Sequence, residues 1–472
     1  MPAVADHRLH LGPALVVVLA VALAYANALG AAFQFDDWEV IVRDPRVQSL
    51  AAWWDSMPGM RPLLKLSYAL NHASGFGVIG FHAVNVLIHG ANALLVLWLV
   101  RQLAGQAGVA PGEAAWLATV TALVFALHPV QTEAVTYASG RSASLSAGFA
   151  LASVALWLRG RDRDDWRLRD LASPALMLAA MAVKESAVMV PALLVLWLVA
   201  DPARPFTLRA ALRQTGLHGA LLVLALAVVL ALPAYREFVA VSLATRSPVE
   251  NLLAQPQAFG WLAGQLVRFD ALNADPVLPV ATSLDVSSLF VLGVVVVAVV
   301  LALSWLGKRP LPAVAVLWML LCLLPTSSLL ARLDLVNDRH WYLALLGPAL
   351  LVALALHWLR RRWLRSGSAL VALLVLVLAT ATWQRNTVYH DELRFWQDVA
   401  AKSPHNARAF NNIGIAFADR CDTAQAEQAW RQALTLDPGY VRAAVNLKLL
   451  SLSVLPAGVG VACSPLAAGS GR

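Results

Sequence analysis

Charge is scarce in this chain. Only 14% of its 472 residues are Asp, Glu, Lys or Arg, against about 25% in ordinary soluble domains. An ordinary soluble fold is excluded, because 59% of the residues are hydrophobic and need lipid or one another as cover. Cysteine is scarcer still. Cys322, Cys421 and Cys463 make no spaced pattern, which excludes a zinc ribbon and a CxxC redox motif. Cys322 falls in an apolar run, and only a Cys421–Cys463 bridge is conceivable. The basic excess, net +8, is no nucleic-acid footprint. The arginines cluster between apolar runs, as they do in cytoplasmic loops of membrane proteins.

Those apolar runs dominate. They lie near 11–30, 80–100, 115–128, 141–158, 171–184, 185–200, 216–234, 287–306, 311–325, 341–359 and 368–383. The expected fold is all-α: a polytopic membrane protein of about eleven transmembrane helices. The first run resembles a signal peptide, but from Leu11 to Leu29 it is long enough to span and is read as retained. The stretch 258–272, interrupted by Arg268 and Asp270, reads as interfacial or re-entrant. Basic loops at 159–170, 204–213, 308–309 and 360–365 all fall on the cytoplasmic side if the N-terminus is cytoplasmic. The intervening polar loops then face the other compartment, together with the C-terminal tail.

The tail differs in kind. Residues 407–440 fit the 34-residue tetratricopeptide pattern, with Phe410, Ile413, Gly414 and Phe417 in one helix and Ala426, Trp430, Ala433 and Pro438 in the next. Trp396 and Pro404 lie one period before Trp430 and Pro438. Three parts are expected: a transmembrane domain over 1–384, a repeat domain over 385–452 and a disordered tail over 453–472.

Functional residues gather on the non-cytoplasmic side of this map. Asp36 and Asp37 follow the first run, where a carboxylate with a pKa of about 4 can accept a proton from a hydroxyl held against it. Adjacent residues on extended chain point to opposite sides, so one can face a substrate while the other pairs with an arginine. The plainer reading is a solvated helix end. Arg61, Arg141, Lys184 and Arg339 sit at the mouths of other runs, where cations can hold a phosphate. His82, Asn85 and His89 share one helix face, which fits interhelical hydrogen bonding equally well. His128, Glu133 and Glu185 lie near the same surface, as acceptor-side or packing residues. No spacing demands a cofactor, although carboxylates are compatible with Mg²⁺ or Mn²⁺.

In order along the chain, "FDDWEVIVRDPRV", "RPLLKLSYALNH", "FHAVNVLIHGANALLV", "FALHPVQTEAVTYASGRSASLSAGF", "AVKESAVMVPALLVL", "LLPTSSLL", "NDRHWYLALLG" and the repeat resemble the GT-C class of polytopic glycosyltransferases. Within that class the set is most similar to the transmembrane-and-tetratricopeptide-repeat (TMTC-type) protein O-mannosyltransferases. The resemblance implies a GT-C fold, a lipid-phosphate sugar donor, and a protein or glycan hydroxyl acceptor on the non-cytoplasmic face. It puts Asp36 and Asp37 at the family's acidic pair, and Arg141, Lys184 and Arg339 near the lipid phosphate. Departures are visible. Gln131 stands where the family has histidine, Asp338 where it has glutamate, and one repeat is complete where the family carries long arrays. The Ala-, Leu- and Arg-rich composition points to a bacterial inner membrane and a polyprenyl lipid. Two other readings stay open: a membrane scaffold recruiting a protein partner through its repeat, and a transporter, which would carry its charges near the bilayer midplane.

Overall fold

The computed structural model describes residues 11–281, 283–327, 331–363 and 367–452. Among these there is no β-strand, and every one of the eleven apolar runs is helical. The chain is an all-α integral membrane protein. Six helices are long and apolar enough to cross a bilayer, or up to eight if each bent pair is one span. The remaining runs are too short. Ser173–Val183, for example, has 11 residues, which at about 1.5 Å each cover roughly half of a hydrocarbon layer about 30 Å thick.

Local sequence sets where these helices start and bend. Proline opens Pro62–Ser74, Pro111–Leu127, Pro233–Thr245, Pro248–Gln265 and Pro310–Leu323, where its missing N–H has no helical partner to lose. Pro129 forces His128 into an extended conformation (φ −69°, ψ 126°). The chain turns there by 53° between Pro111–Leu127 and Pro129–Val135. A second bend, of 61°, separates Asp338–Ala344 from Leu346–Arg362. The helix Pro248–Gln265 begins ten residues before the interfacial stretch expected at 258–272. Its polar start hides it from hydropathy, but Ser247 and Glu250 form a reciprocal capping box that marks it.

Burial separates central from lipid-facing helices. The most apolar 18 residues of Ala138–Arg163 are 61% buried, whereas those of Leu208–Ala231 and Val286–Trp305 are 11% buried. The apolar side chains of the last two therefore meet lipid. Some polar groups inside the bundle bridge helices: Asn92 donates to Ser144 O (2.7 Å) and to the Tyr342 hydroxyl (2.9 Å). Gly148 leaves room for this, since a Cβ there would stand 2.5 Å from Asn92 Oδ1.

The repeat is built from Glu392–Lys402, Ala407–Ala418, Thr423–Leu436 and Val441–Ser451. Asp391, Asn406 and Asp422 cap the first three. Trp430 is fully buried against Gly414 and donates its indole N–H to Asn411 O (3.0 Å). The repeat packs directly on the first loop, where Ala31, Tyr137, Tyr389, Phe395 and Trp396 share one apolar cluster. The conceivable Cys421–Cys463 bridge and the tail 453–472 lie outside the described residues.

The helices Pro310–Leu323 and Leu346–Arg362 approach so closely that a Cβ at Gly347 would meet Ala315 O at 2.2 Å. Gly347→Ala is expected to lower stability by about 1–3 kcal/mol. Gly293→Ala, which faces open space, should stay within about 0.5 kcal/mol of wild type. Thermal unfolding of both variants in one detergent checks the contrast.

Candidate active site

The site starts where the chain leaves its first span. Ala32 N–H donates to Tyr389 O (3.0 Å) and Gln34 Nε2 to the same oxygen (3.0 Å), tying the loop to the segment before the repeat. Phe35 then adopts a left-handed backbone (φ 41°). That conformation costs a non-glycine residue about 1–3 kcal/mol and persists only where surrounding contacts impose it. Here its ring meets Trp396 edge-on (5.1 Å) and lies under the Arg408 guanidinium (5.2 Å).

This turn splits the two aspartates. Asp37 points inward and is fully buried. Its Oδ1 accepts the Ser139 N–H (2.7 Å) and its Oδ2 the Gln34 N–H (2.9 Å). The two aspartates are helical rather than extended, so extended-chain alternation does not apply to them. They point apart on successive helical positions after the turn at Phe35, and the partners of Asp37 are backbone N–H groups rather than an arginine. Asp36 points outward, its own N–H donating to the Tyr137 hydroxyl (2.9 Å), and lines a cavity of about 680 Å³. Burial pushes the Asp36 carboxyl above the ordinary range, with Arg339 acting in the opposite direction. Burial raises Asp37 further, to about 7, against the lowering effect of its N–H donors.

Opposite Asp36 the same cavity is lined by Arg61, Lys184 and Arg339, brought from three distant segments. Each is held differently. Arg61, also left-handed (φ 52°), forks onto Glu185 (Nε–Oε1 3.0 Å, Nη2–Oε2 2.9 Å), and the Tyr235 hydroxyl donates to Glu185 Oε1 (3.1 Å). Arg339 donates its backbone N–H to Glu133 Oε2 (2.9 Å), with its Nε 3.6 Å from Oε1. Lys184 breaks the helix at Val183 in an extended conformation (φ −155°, ψ 134°) and is buried. Glu133 and Glu185 thus stand behind the cations and orient them.

Four further cations line the cavity: Arg46, Lys65, Arg332 and Arg408. Lys184 and Arg332 form no ion pair among the described residues. Burial, then repulsion from Arg61 and Arg339, pulls Arg332 down to about 10. Among the described residues, seven Lys and Arg side chains against three Asp line the cavity, and that excess of buried positive charge attracts an anion. In the sequence Arg332 stands alone between Arg309 and Arg339, at the mouth of the run that begins at 341. Arg408 had no sequence signal, because its approach to the first loop depends on how the repeat docks.

Not every candidate reaches this cavity. Arg141 is fully buried behind its wall, donating to Asn85 Oδ1 (2.6 Å), Phe81 O (2.9 Å) and Ser67 O (3.1 Å). His89 uses both ring nitrogens, with the Tyr342 hydroxyl (2.7 Å) and Ala126 O (2.9 Å). His128 contacts Leu266 O (3.1 Å) and accepts from the Val130 N–H (3.2 Å). His82 is buried in its span. Among the described residues no three His, Cys, Asp or Glu side chains come together as a metal set. Asp36 and Asp37 diverge, and both oxygens of Asp37 already accept N–H groups, so the pair does not fit Mg²⁺ or Mn²⁺ as a shared ligand set.

No protein-family model matches the chain. Curated proteins do. It is 35% identical to Protein O-mannosyl-transferase TMTC4 of Mus musculus over 165 residues, which is 29% of this chain and 22% of that protein. It is 25% identical to Protein O-mannosyl-transferase Tmtc3 of Drosophila melanogaster over 520 aligned residues, covering 92% of this chain and 56% of that protein. The human TMTC4 protein is 32% identical over 161 residues, which is 29% of this chain and 22% of that protein. The curated relatives are therefore TMTC-type proteins, as the ordered motifs indicate, and the chain spans about half or less of their length.

The buried Asp37 makes stability depend on pH. Its folded pKa, about 7, lies above the ordinary 3.8. The folded state therefore holds the proton more tightly, and stability present below the ordinary value is lost as pH rises through about 7. Melting temperature is expected to fall between these two values. Asp37→Asn should flatten that slope, and a melting series across the interval reads it.

Proposed function

We propose that this chain is a membrane glycosyltransferase, with Asp36 as the base and the cationic cavity as the donor site. The reading rests most on one observation: Asp36 shares a single cavity with Lys184, Arg332 and Arg339. A sugar-1-phosphate linked to a polyprenyl chain would set its phosphate against these cations. The hydroxyl oxygen of an acceptor then attacks the anomeric carbon from the face opposite the phosphate. The new C–O bond forms as the C–O bond to phosphate breaks, which inverts the anomeric centre. The hydroxyl proton passes to Asp36, and the charge released on the phosphate meets the guanidinium and ammonium groups. The relatives' names support mannose as the sugar and an oxygen of a protein as the acceptor; a Ser or Thr side chain would supply it as a hydroxyl.

Orientation is part of the reading. Arg161–Asp201 (2.7 Å), Gln106–Asp162 (2.7 Å) and Arg361–Glu113 (3.6 Å) gather the arginine-rich loops at one end of the bundle. The cavity residues occupy the loops at the other. Basic loops face the cytoplasm, so the cavity opens on the non-cytoplasmic side, which for a bacterial inner membrane is the periplasm. The scaffold alternative fits less well, because the repeat is built into the site. Arg408 pairs with Asp275 and with Asp334 (2.8 Å to Asp334), and Ser403 accepts from Asn273 Nδ2 (2.9 Å).

With purified protein and a polyprenyl-phosphate mannose, Asp36→Asn is expected to lower kcat by about 10²–10⁴-fold. Arg332→Met and Lys184→Met should raise the donor KM and also lower kcat, because these cations both bind the phosphate and meet the charge it gains. Because burial raises the Asp36 pKa, the acid limb of kcat/KM should lie above the ordinary carboxylate value of about 4. Wild-type kcat in Asp36→Asn would remove the proposed base.

A further inference from the structure

Asp36 has a second cavity on its other side. It measures about 570 Å³, within the usual range of roughly 300–1,000 Å³ for ligand sites. It runs between the first loop at Trp38–Val42 and the inner face of the repeat helices. Phe35, Asp36 and Arg408 line both cavities, so one wall with a carboxylate in it separates them.

The two cavities differ in chemistry. The first is cationic, seven Lys and Arg against three Asp, with Lys184 and Arg332 in no ion pair among the described residues. The second carries both signs, Arg43, Arg408 and Arg442 against Asp36, Glu39, Glu392 and Asp419, over an apolar floor that includes Trp396 and Ile415. A phosphate or polyanion is poorly matched to that balance.

Carboxamides supply the remaining signal. Asn446 Nδ2 donates to Asn411 Oδ1 (3.0 Å), and Asn411 Nδ2 donates to Asn412 Oδ1 (3.3 Å). Asn411 is itself fixed from behind, its carbonyl accepting from the Trp430 indole (3.0 Å). This row leaves Asn412 Nδ2 as a donor and Asn446 Oδ1 as an acceptor on the cavity lining. A donor and an acceptor side by side match the C=O and N–H of an extended backbone, and the apolar floor takes alternate side chains.

We propose that the second cavity receives the acceptor as an extended polypeptide, so that its hydroxyl meets Asp36 from one side while the sugar phosphate lies on the other. This rests on the glycosyltransferase reading and deepens it: the repeat is a wall of the acceptor site.

The test uses the full chain in lipid nanodiscs. A photoreactive benzoylphenylalanine replaces Asn412, or the outward-facing Gln428 as control. The probe is a randomised ten-residue peptide library with one fixed threonine. Peptide labelling from position 412 well above that from 428 is expected. Asn412→Trp should raise the KM for a labelled peptide by about tenfold, a loss of about 1.4 kcal/mol, with the donor KM unchanged. Gln428→Trp should leave both constants alone. Equal labelling at both positions overturns the proposal, as does a crosslink from 412 to the chain's own residues 453–472, or an unchanged peptide KM in Asn412→Trp. If the wild-type protein transfers no sugar, the transferase reading fails by itself. The labelling contrast still decides whether the cavity is a peptide groove.

Discussion

The site depends on one buried carboxylate. Asp37 accepts N–H groups from Gln34, in its own loop, and from Ser139, at the start of the long helix Arg141–Arg163. It thereby fastens the first loop to the middle of the bundle. That fastening leaves Phe35 left-handed and turns Asp36 the other way. A charged group deep in a protein is costly to desolvate unless its hydrogen bonds are made. Asp37 makes them with backbone donors that cannot move away. The two adjacent aspartates therefore do different work: one holds the loop, and the other is presented to solvent-sized space.

The same economy governs the cations. Arg61 and Arg339 would be expensive to leave bare in a low-dielectric wall, and each has an acid behind it, Glu185 and Glu133. Lys184 and Arg332 form no such ion pair among the described residues. The wall is thus built mostly from compensated pairs, with an uncompensated remainder facing the cavity. An anionic group entering it supplies the missing charge. Arg408 extends this arrangement into the repeat, since it stacks on Phe35 and pairs with Asp275 and Asp334. A recruiting module on a flexible tether would not have such contacts.

Much of this was legible in the sequence because hydrophobicity is a local property. All eleven apolar runs became helices, and the repeat appeared from Trp430, Gly414 and their neighbours at fixed offsets. What needed three dimensions was the sorting of charged residues. Arg141 and Lys184 look alike in sequence, each a cation at the mouth of an apolar run. They part because Asn85, Phe81 and Ser67, from other helices, saturate Arg141 before it reaches the cavity. Glu133 and Glu185, which read in sequence as acceptor-side or packing residues, stand against Arg339 and Arg61. Extended-chain alternation does not explain the split of Asp36 from Asp37, because both are helical after the left-handed Phe35, and no local rule identifies Ser139 as the partner of Asp37.

The central claim is that the cavity beside Asp36 is where a lipid-linked sugar phosphate binds. A structure of the protein with a non-hydrolysable polyprenyl-phosphate sugar analogue tests it most directly. The account predicts phosphate oxygens within hydrogen-bond distance, about 3 Å, of Lys184 and Arg332, with the anomeric carbon between them and the Asp36 carboxylate. A phosphate bound instead among the arginines of the 159–170 and 360–362 loops would contradict it.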